Sequence, residues 1–171
     1  KEGLIFGKGE YLLVIDGDGQ HDANCVLDLI NEIKANNVDI VIGSRFLDSS
    51  LLKGLSEKRS LGSKLANSAA RISLPSKYAY LTDYLSGCFC INRTNLESTI
   101  KEIEINGFKF LYELLALSRG RLRIKEIPLL FKQRNHGKSK LDLAIVWDFI
   151  ISILHNLSYR IFPRKAISFG L

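Results

Sequence analysis

Apolar and polar positions alternate in period along the chain, and the period sets out the elements. Tyr11 to Ile15 (YLLVI) is a continuous apolar run, the pattern of a strand buried on both faces of a parallel sheet. Asp22 is an N-cap candidate, after which Val26, Leu29, Ile30 and Ile33 recur at helical spacing until Asn36-Asn37 breaks the pattern. Val38 to Ile42 (VDIVI) reads as a second buried strand. Strand, helix and strand in about thirty residues predict a right-handed βαβ crossover with parallel strands. Leu51 to Arg59 reads as a polar loop, and Leu61 to Leu74 as a helix with Leu61, Leu65, Ala69 and Ile72 on one side, stopped by Pro75. Gly87 to Ile91 is a short strand, Phe110 to Ser118 an apolar helix ended by Gly120, and Leu122 to Phe131 a strand. Pro128 gives that last strand an edge or bulged position, because proline cannot donate to a ladder. A loop from Lys132 to Lys138 leads to a long helix from about Lys140 to Tyr159. The expected fold is α/β, a mostly parallel, Rossmann-like sheet flanked by helices, with a C-terminal amphipathic helix.

With 171 residues, 46% of them hydrophobic, the chain is large enough for one cored domain. Its net charge of +6 narrows the partners to anionic ones: nucleic acid, a phosphorylated small molecule or an acidic lipid surface. Cys25, Cys88 and Cys90 are odd in number and lack zinc spacing, so they read as buried, reduced thiols in a cytosolic setting. No signal peptide is visible, and no uninterrupted apolar run reaches the roughly 18 residues of a membrane span. Both ends read as cut.

The chemistry concentrates after the first strand, in Asp16-Gly17-Asp18-Gly19-Gln20. In an extended segment Asp16, Asp18 and Gln20 point the same way, which assembles a hard oxygen site for Mg2+ or Mn2+ at the carboxyl edge of the sheet. An EF-hand is excluded, because His21 and Leu27 stand where that loop needs glycine and glutamate. A solvated acidic turn is the other reading. Arg45, in Gly43-Ser44-Arg45, leaves the second strand at the same edge, where a guanidinium can offer a fork of donors to phosphate or pair with a nearby carboxylate.

The segment D-G-D-G-Q-H-D resembles the D-x-D signature of family 2 glycosyltransferases, in the D-A-D-x-Q-H form of the polyprenyl-phosphate hexosyltransferases such as the dolichyl-phosphate mannose synthases. Gly17 stands where that family usually has alanine. Gly43-Ser44-Arg45, Lys58-Arg59-Ser60 and Asp83-Tyr84-Leu85-Ser86-Gly87 resemble further segments of the family, and Glu113 matches a family acid. Arg134-Asn135-His136-Gly137-Lys138-Ser139-Lys140-Leu141 resembles its R-x-x-G-x-S-K-L motif. This loop ends in the capping-box pattern Ser139-x-x-Asp142, and a helix N-terminus beside Arg134 and Lys140 suits a phosphate. A nucleic-acid patch there would lack interleaved aromatics.

The resemblance implies a GT-A-like domain lacking its N-terminal strand or strands, with residues 1–140 a partial catalytic domain and 141–171 an interfacial helix plus the start of a linker to a membrane domain. It implies metal ligation by Asp16, Asp18 and Gln20, and donor binding by these with Arg45, Arg59, Ser86 and Gly87. It further implies acceptor-phosphate binding by Arg134, Ser139 and Lys140, and catalysis by Asp18, Arg45, Asp83 and Arg134. Asp83 has two further readings, a ligand-orienting acid or an Asx-turn residue. Glu113, on an apolar helix, needs a cationic partner, for which an arginine is expected. His21 would steady the acidic triplet from behind, whereas His136 and His155 lie too far off to complete a metal trio with it.

Leu141 to Phe162 is apolar around most of its circumference, with Asp148, Ser152, His155 and Asn156 on one face and Arg160, Arg164 and Lys165 following. Such a helix lies at a membrane interface or packs as a core helix on the sheet. The expected activity is transfer of mannose from GDP-mannose to a polyprenyl or dolichyl monophosphate, assisted by Mg2+ or Mn2+, at the cytoplasmic face of a membrane. The alternatives are the same transfer from UDP-glucose, or a catalytically silent module that binds a nucleotide-sugar. Nucleic acid is not an expected partner.

Overall fold

The computed structural model describes residues 6–17, 19, 21, 23–48, 57–102, 109–129 and 143–161, with the side chains of 23, 57–61, 98, 101–102, 143–145 and 159–161 outside that description. Asp18, Gln20, Asp22 and the whole segment Arg134 to Asp142 therefore lie outside the described residues.

Four strands form one sheet: β1 (Tyr11–Ile15), β2 (Ile40–Ser44), β3 (Cys88–Asn92) and β4 (Ile124–Pro128), in the order β1-β3-β2-β4. β3 pairs antiparallel with both β1 and β2, while β2 and β4 pair in parallel. β1, β2 and β4 thus run the same way, as the βαβ reading expects, but β3 is inserted between the first two. β1 is not buried on both faces as its apolar run suggests: it lies at an edge of the described sheet, half-buried with Ile15 exposed, and its partner is antiparallel, because an apolar run carries no information about which strand lies beside it. β4 holds a sheet edge, and Pro128 ends it opposite Ser44, where its missing donor is tolerated.

Alternation along the strands sorts the side chains into two layers. Val41, Cys88 and Cys90 face helix α1 (Ala23–Asn36), which buries Cys25, Leu29 and Ile33 at four-residue spacing. All three thiols are free and buried, with the sulfurs of Cys25 and Cys88 3.7 Å apart. Burial pushes the Cys88 thiol far up and Cys90 to about 11, so both are protonated and unreactive at neutral pH. Asn37, with φ of 48°, stops α1 in the left-handed conformation.

Ile40, Ile42, Phe89 and Ile91 face the opposite layer, built by α2 (Glu57–Ser73), α3 (Arg93–Glu102), α4 (Phe110–Ser118) and α5 (Leu143–Ile161). α2 presents a different face from the expected one. Leu65 and Ile72 are 64% and 70% exposed, and the helix instead turns Ala66, Ala70 and Ser73 inward. Small residues let α2 approach α5 closely, and a count of large aliphatics misses that. α3 was not legible from periodicity, since its buried residues Leu96 and Ile100 are only two positions one turn apart. α4 has the expected bounds and ends through Arg119 and Gly120, both at positive φ.

α5 packs against the helical layer with its polar side. The buried ammonium of Lys109 meets Asp148 and the Ser152 hydroxyl, each at 2.7 Å, and Asn156 donates to the Ser73 carbonyl at 2.8 Å. Phe149 inserts beside Tyr112, ring centroids 5.4 Å apart. Trp147, Ile150, Ile151 and Leu154 consequently face outward, between 38% and 64% exposed. Lys109 also pairs with Glu113 at 3.4 Å, so among the described residues that acid has a lysine one turn away as a cationic partner. Among the described residues no helix is long and apolar enough to cross a membrane.

Candidate active site

Three strands that share one direction bring their carboxyl ends to a single edge of the sheet, and β3 starts there. The register sets Ile15 opposite Cys88 and Ser44 opposite Pro128. Residues just beyond these pairs, Asp16, Arg45, Ser86 and Gly87, are therefore neighbours although they are up to 71 positions apart in sequence.

Asp16 is exposed, and its amide donates to the Gly87 carbonyl at 2.9 Å. Its carboxylate lies directly over Gly87: a Cβ built there would fall inside the carboxylate's van der Waals envelope. Gly87 thus permits a close approach, and the approaching group in this structure is the carboxylate of Asp16. β1 ends at Ile15, Gly17 lies in a turn, and Gly19 has φ of 73°, open to glycine at no steric cost. Asp18 and Gln20, the other two expected ligands, lie outside the described residues. Among the described residues no cluster of three or more His, Cys, Asp or Glu side chains could hold a metal.

Arg45 and Asp83 form a forked ion pair. Nε donates to Oδ2 at 2.7 Å and Nη2 to Oδ1 at 2.8 Å, while the Arg45 amide adds a bond to Oδ2 at 3.1 Å. The Leu85 amide donates to Oδ1, and Asp83 has no solvent exposure. Burial pulls the Arg45 guanidinium down, but the bonds to Asp83 and the charges of Asp83 and Asp16 outweigh it and hold Arg45 above its usual value. The carboxylate-pairing reading of Arg45 is therefore observed, and both Asp83 oxygens are engaged within the protein. Asp83 thus fixes the Arg45 side chain, and its bond from the amide two residues on is the contact of the Asx-turn reading.

Ser86 is buried. Its hydroxyl donates to the Gly43 carbonyl at 2.6 Å and accepts from the Cys88 amide at 3.1 Å, tying the β3 entry to the end of β2. Arg59 lies in the first turn of α2, its side chain outside the described residues. His21 is half-buried, and His155 lies exposed on α5.

Glu126, Thr82 and Asn67, which the sequence did not single out, hold this edge together with Ser44. Glu126 on β4 accepts from the amides of Thr82 and Asp83, at 2.9 Å each to the nearer oxygen, and from the Thr82 hydroxyl at 3.1 Å. Burial pushes its carboxyl up, opposed by those donors. Ser44 and Thr82 share a 2.6 Å hydroxyl bond. Asn67 on α2 accepts from the Tyr84 amide at 2.8 Å and donates to the Thr82 carbonyl. The one sequence signal was Glu126 itself, an acid between Ile124 and Ile127 in a buried strand.

Comparisons with known proteins agree with this layout. The profile of "Glycosyl transferase family 2" matches residues 1–99, which include Asp16, Arg45, Asp83 and Gly87. A dolichol-phosphate mannosyltransferase of Pyrococcus furiosus is 33% identical over 171 residues, covering 99% of this chain and 47% of that protein. The Saccharomyces cerevisiae protein of the same name is 28% identical, covering 98% of the chain and 62% of the relative. The chain thus spans about half to two thirds of the length of these relatives. Among solved structures, glucosyl-3-phosphoglycerate synthase from Mycobacterium tuberculosis superimposes with a TM-score of 0.62 at 17% identity, over 92% of this chain and 52% of that one. A complex of that synthase with Mn2+, UDP-glucose and glycerol 3-phosphate gives 0.58 at 16% identity, with the same coverage. The architecture is accordingly GT-A-like, and the chain belongs to glycosyl transferase family 2.

Proposed function

We propose that this chain is part of an enzyme that moves a hexose, mannose from GDP-mannose, onto a polyprenyl or dolichyl monophosphate with inversion at the anomeric carbon. The observation that carries the reading is the carboxylate of Asp16 seated on Gly87 beside the Arg45–Asp83 pair, at the edge where open α/β sheets bind ligands. The relatives at 33% and 28% identity, named for mannosyl transfer to dolichol phosphate, support the choice of sugar and acceptor.

A divalent cation fits this edge, because the exposed Asp16 carboxylate, the described member of the expected triplet, offers hard oxygen donors at the carboxyl end of β1. Asp16, with Asp18 and Gln20, would hold Mg2+ or Mn2+, which supplies charge neutralisation for the departing nucleoside diphosphate. Arg45, aimed by Asp83 and drawn towards Asp16, adds a fixed positive charge on the same side. Arg59, on the turn that opens α2, joins the donor side. Gly87 sets the position of Asp16, and Ser86 sets that of Gly87. The acceptor phosphate is anionic and nucleophilic at neutral pH, so the reaction needs no strong general base, in keeping with the burial of Asp83. Arg134, Ser139 and Lys140 would receive that phosphate, which keeps two anionic substrates from repelling each other.

Full-length protein incubated with radiolabelled GDP-mannose or UDP-glucose and a polyprenyl phosphate tests this. Organic-soluble label is expected from GDP-mannose. Label from UDP-glucose alone would make the enzyme a glucosyltransferase, and none from either would leave a silent binding module.

The outward stripe of α5 supports docking on a membrane, with residues 1–140 as the catalytic part and 141–171 as the attachment. Trp147, Ile150, Ile151 and Leu154 recur at helical spacing on the side away from Lys109 and Ser73. Burying one such side chain is worth about 1.5–3 kcal/mol, so Trp147→Asp with Ile151→Asp should weaken binding to acidic phospholipid vesicles by about tenfold or more. Co-sedimentation measures this, and unchanged binding would remove α5 from the attachment.

A further inference from the structure

We propose that Glu126 is a positioning residue for the donor site, holding Arg45 in place through the segment Thr82–Asp83. The inference rests on the donor-site reading of Arg45 and goes beyond it, to a strand whose side chains do not reach that ligand.

Glu126 lies on β4, behind the loop that enters β3. Every group that meets its carboxylate is a donor: the Thr82 amide, the Asp83 amide and the Thr82 hydroxyl. Because Thr82 gives its only hydroxyl hydrogen to Glu126, the 2.6 Å bond between Ser44 and Thr82 is donated by Ser44. The Ser44 oxygen in turn accepts from the amides of Phe46 and Leu47, at 3.1 and 3.2 Å. Hydrogen bonds therefore run in one direction, from the backbone just after Arg45 through Ser44 and Thr82 to Glu126. The second branch passes from the Asp83 backbone to the Asp83 carboxylate, which grips both the side chain and the amide of Arg45.

Both branches converge on an acceptor-only group. Glutamine has nearly the same shape but turns an NH2 towards one of those donors, so a carboxylate is needed where an amide would serve ordinary packing. Asn67 holds the same loop from α2 through Thr82 and Tyr84. The loop consequently stays attached when Glu126 changes, and what shifts is the aim of Asp83 and Arg45.

The test is steady-state kinetics and thermal melting of the full-length protein carrying Glu126→Gln, with Thr82→Val and Arg45→Lys alongside. Glu126→Gln is expected to raise KM for the nucleotide-sugar about tenfold, with kcat and the acceptor KM within about threefold. Thr82→Val keeps both backbone donors and should raise the donor KM about threefold, and it decides the matter if Glu126→Gln does not fold. A purely structural Glu126 would lower the melting temperature and the active fraction and leave both KM values alone, which overturns the proposal. If Arg45→Lys raises the donor KM and the Glu126 and Thr82 variants do not, this proposal fails by itself. If Arg45→Lys leaves it unchanged, the donor-site reading fails.

Discussion

Asp16→Ala and Asp18→Ala should each cut hexose transfer by about three orders of magnitude or more in the full-length protein. The size follows from what the carboxylates oppose. A nucleoside diphosphate leaves with its negative charge growing, and a cation held against it is worth several kcal/mol in the transition state. Asp16 is exposed at the end of β1, so its side chain can be removed without disturbing the core. The melting temperature of Asp16→Ala should stay within a few degrees of the parent. Initial rates with saturating donor and acceptor, read beside a thermal melt, separate lost chemistry from lost fold. Activity within tenfold of the parent in either variant would remove these carboxylates from the reaction.

Gly87→Ala should be nearly as damaging, although the added methyl group carries no charge and touches no substrate. The new Cβ would occupy the space that the Asp16 carboxylate now fills. Asp16 lies at the surface and can rotate away, so the protein folds and the carboxylate is displaced. Loss of a ligand's position costs nearly as much as loss of the ligand, because charge stabilisation depends on placement within about half an ångström. A fall in kcat of about a hundredfold or more, with an unchanged far-ultraviolet spectrum and a weaker response to added Mn2+, is the expected pattern. An alanine variant that keeps full activity would show that Asp16 does not need its present seat.

These two variants mark where the sequence could be read and where it could not. Asp16, Arg45 and Gly87 were legible because each follows or precedes an apolar run, and strand ends gather at one edge of an α/β sheet. The bounds of α4 were legible because Gly120 and a uniform apolar run delimit it. The position of β3 was not, since an apolar strand between two others reads the same whichever way it runs. The inward face of α2 was hidden because Ala66, Ala70 and Ser73 are chosen for smallness, while the larger Leu65 and Ile72 face out. On α5 the cluster Asp148, Ser152 and Asn156 was visible as a face, but its direction depended on Lys109, more than thirty residues upstream. Glu126 illustrates the same limit. An acid in a strand is an ordinary solvent-facing residue until the Thr82–Asp83 loop folds over it.

The position of a bound metal tests the account most directly. Crystals of the full-length protein grown with Mn2+ and GDP, measured at the manganese absorption edge, should show one strong anomalous peak at bonding distance from an Asp16 oxygen and from a diphosphate oxygen. A peak elsewhere, or a diphosphate bound with Asp16 still turned onto Gly87 and no manganese beside it, would contradict it.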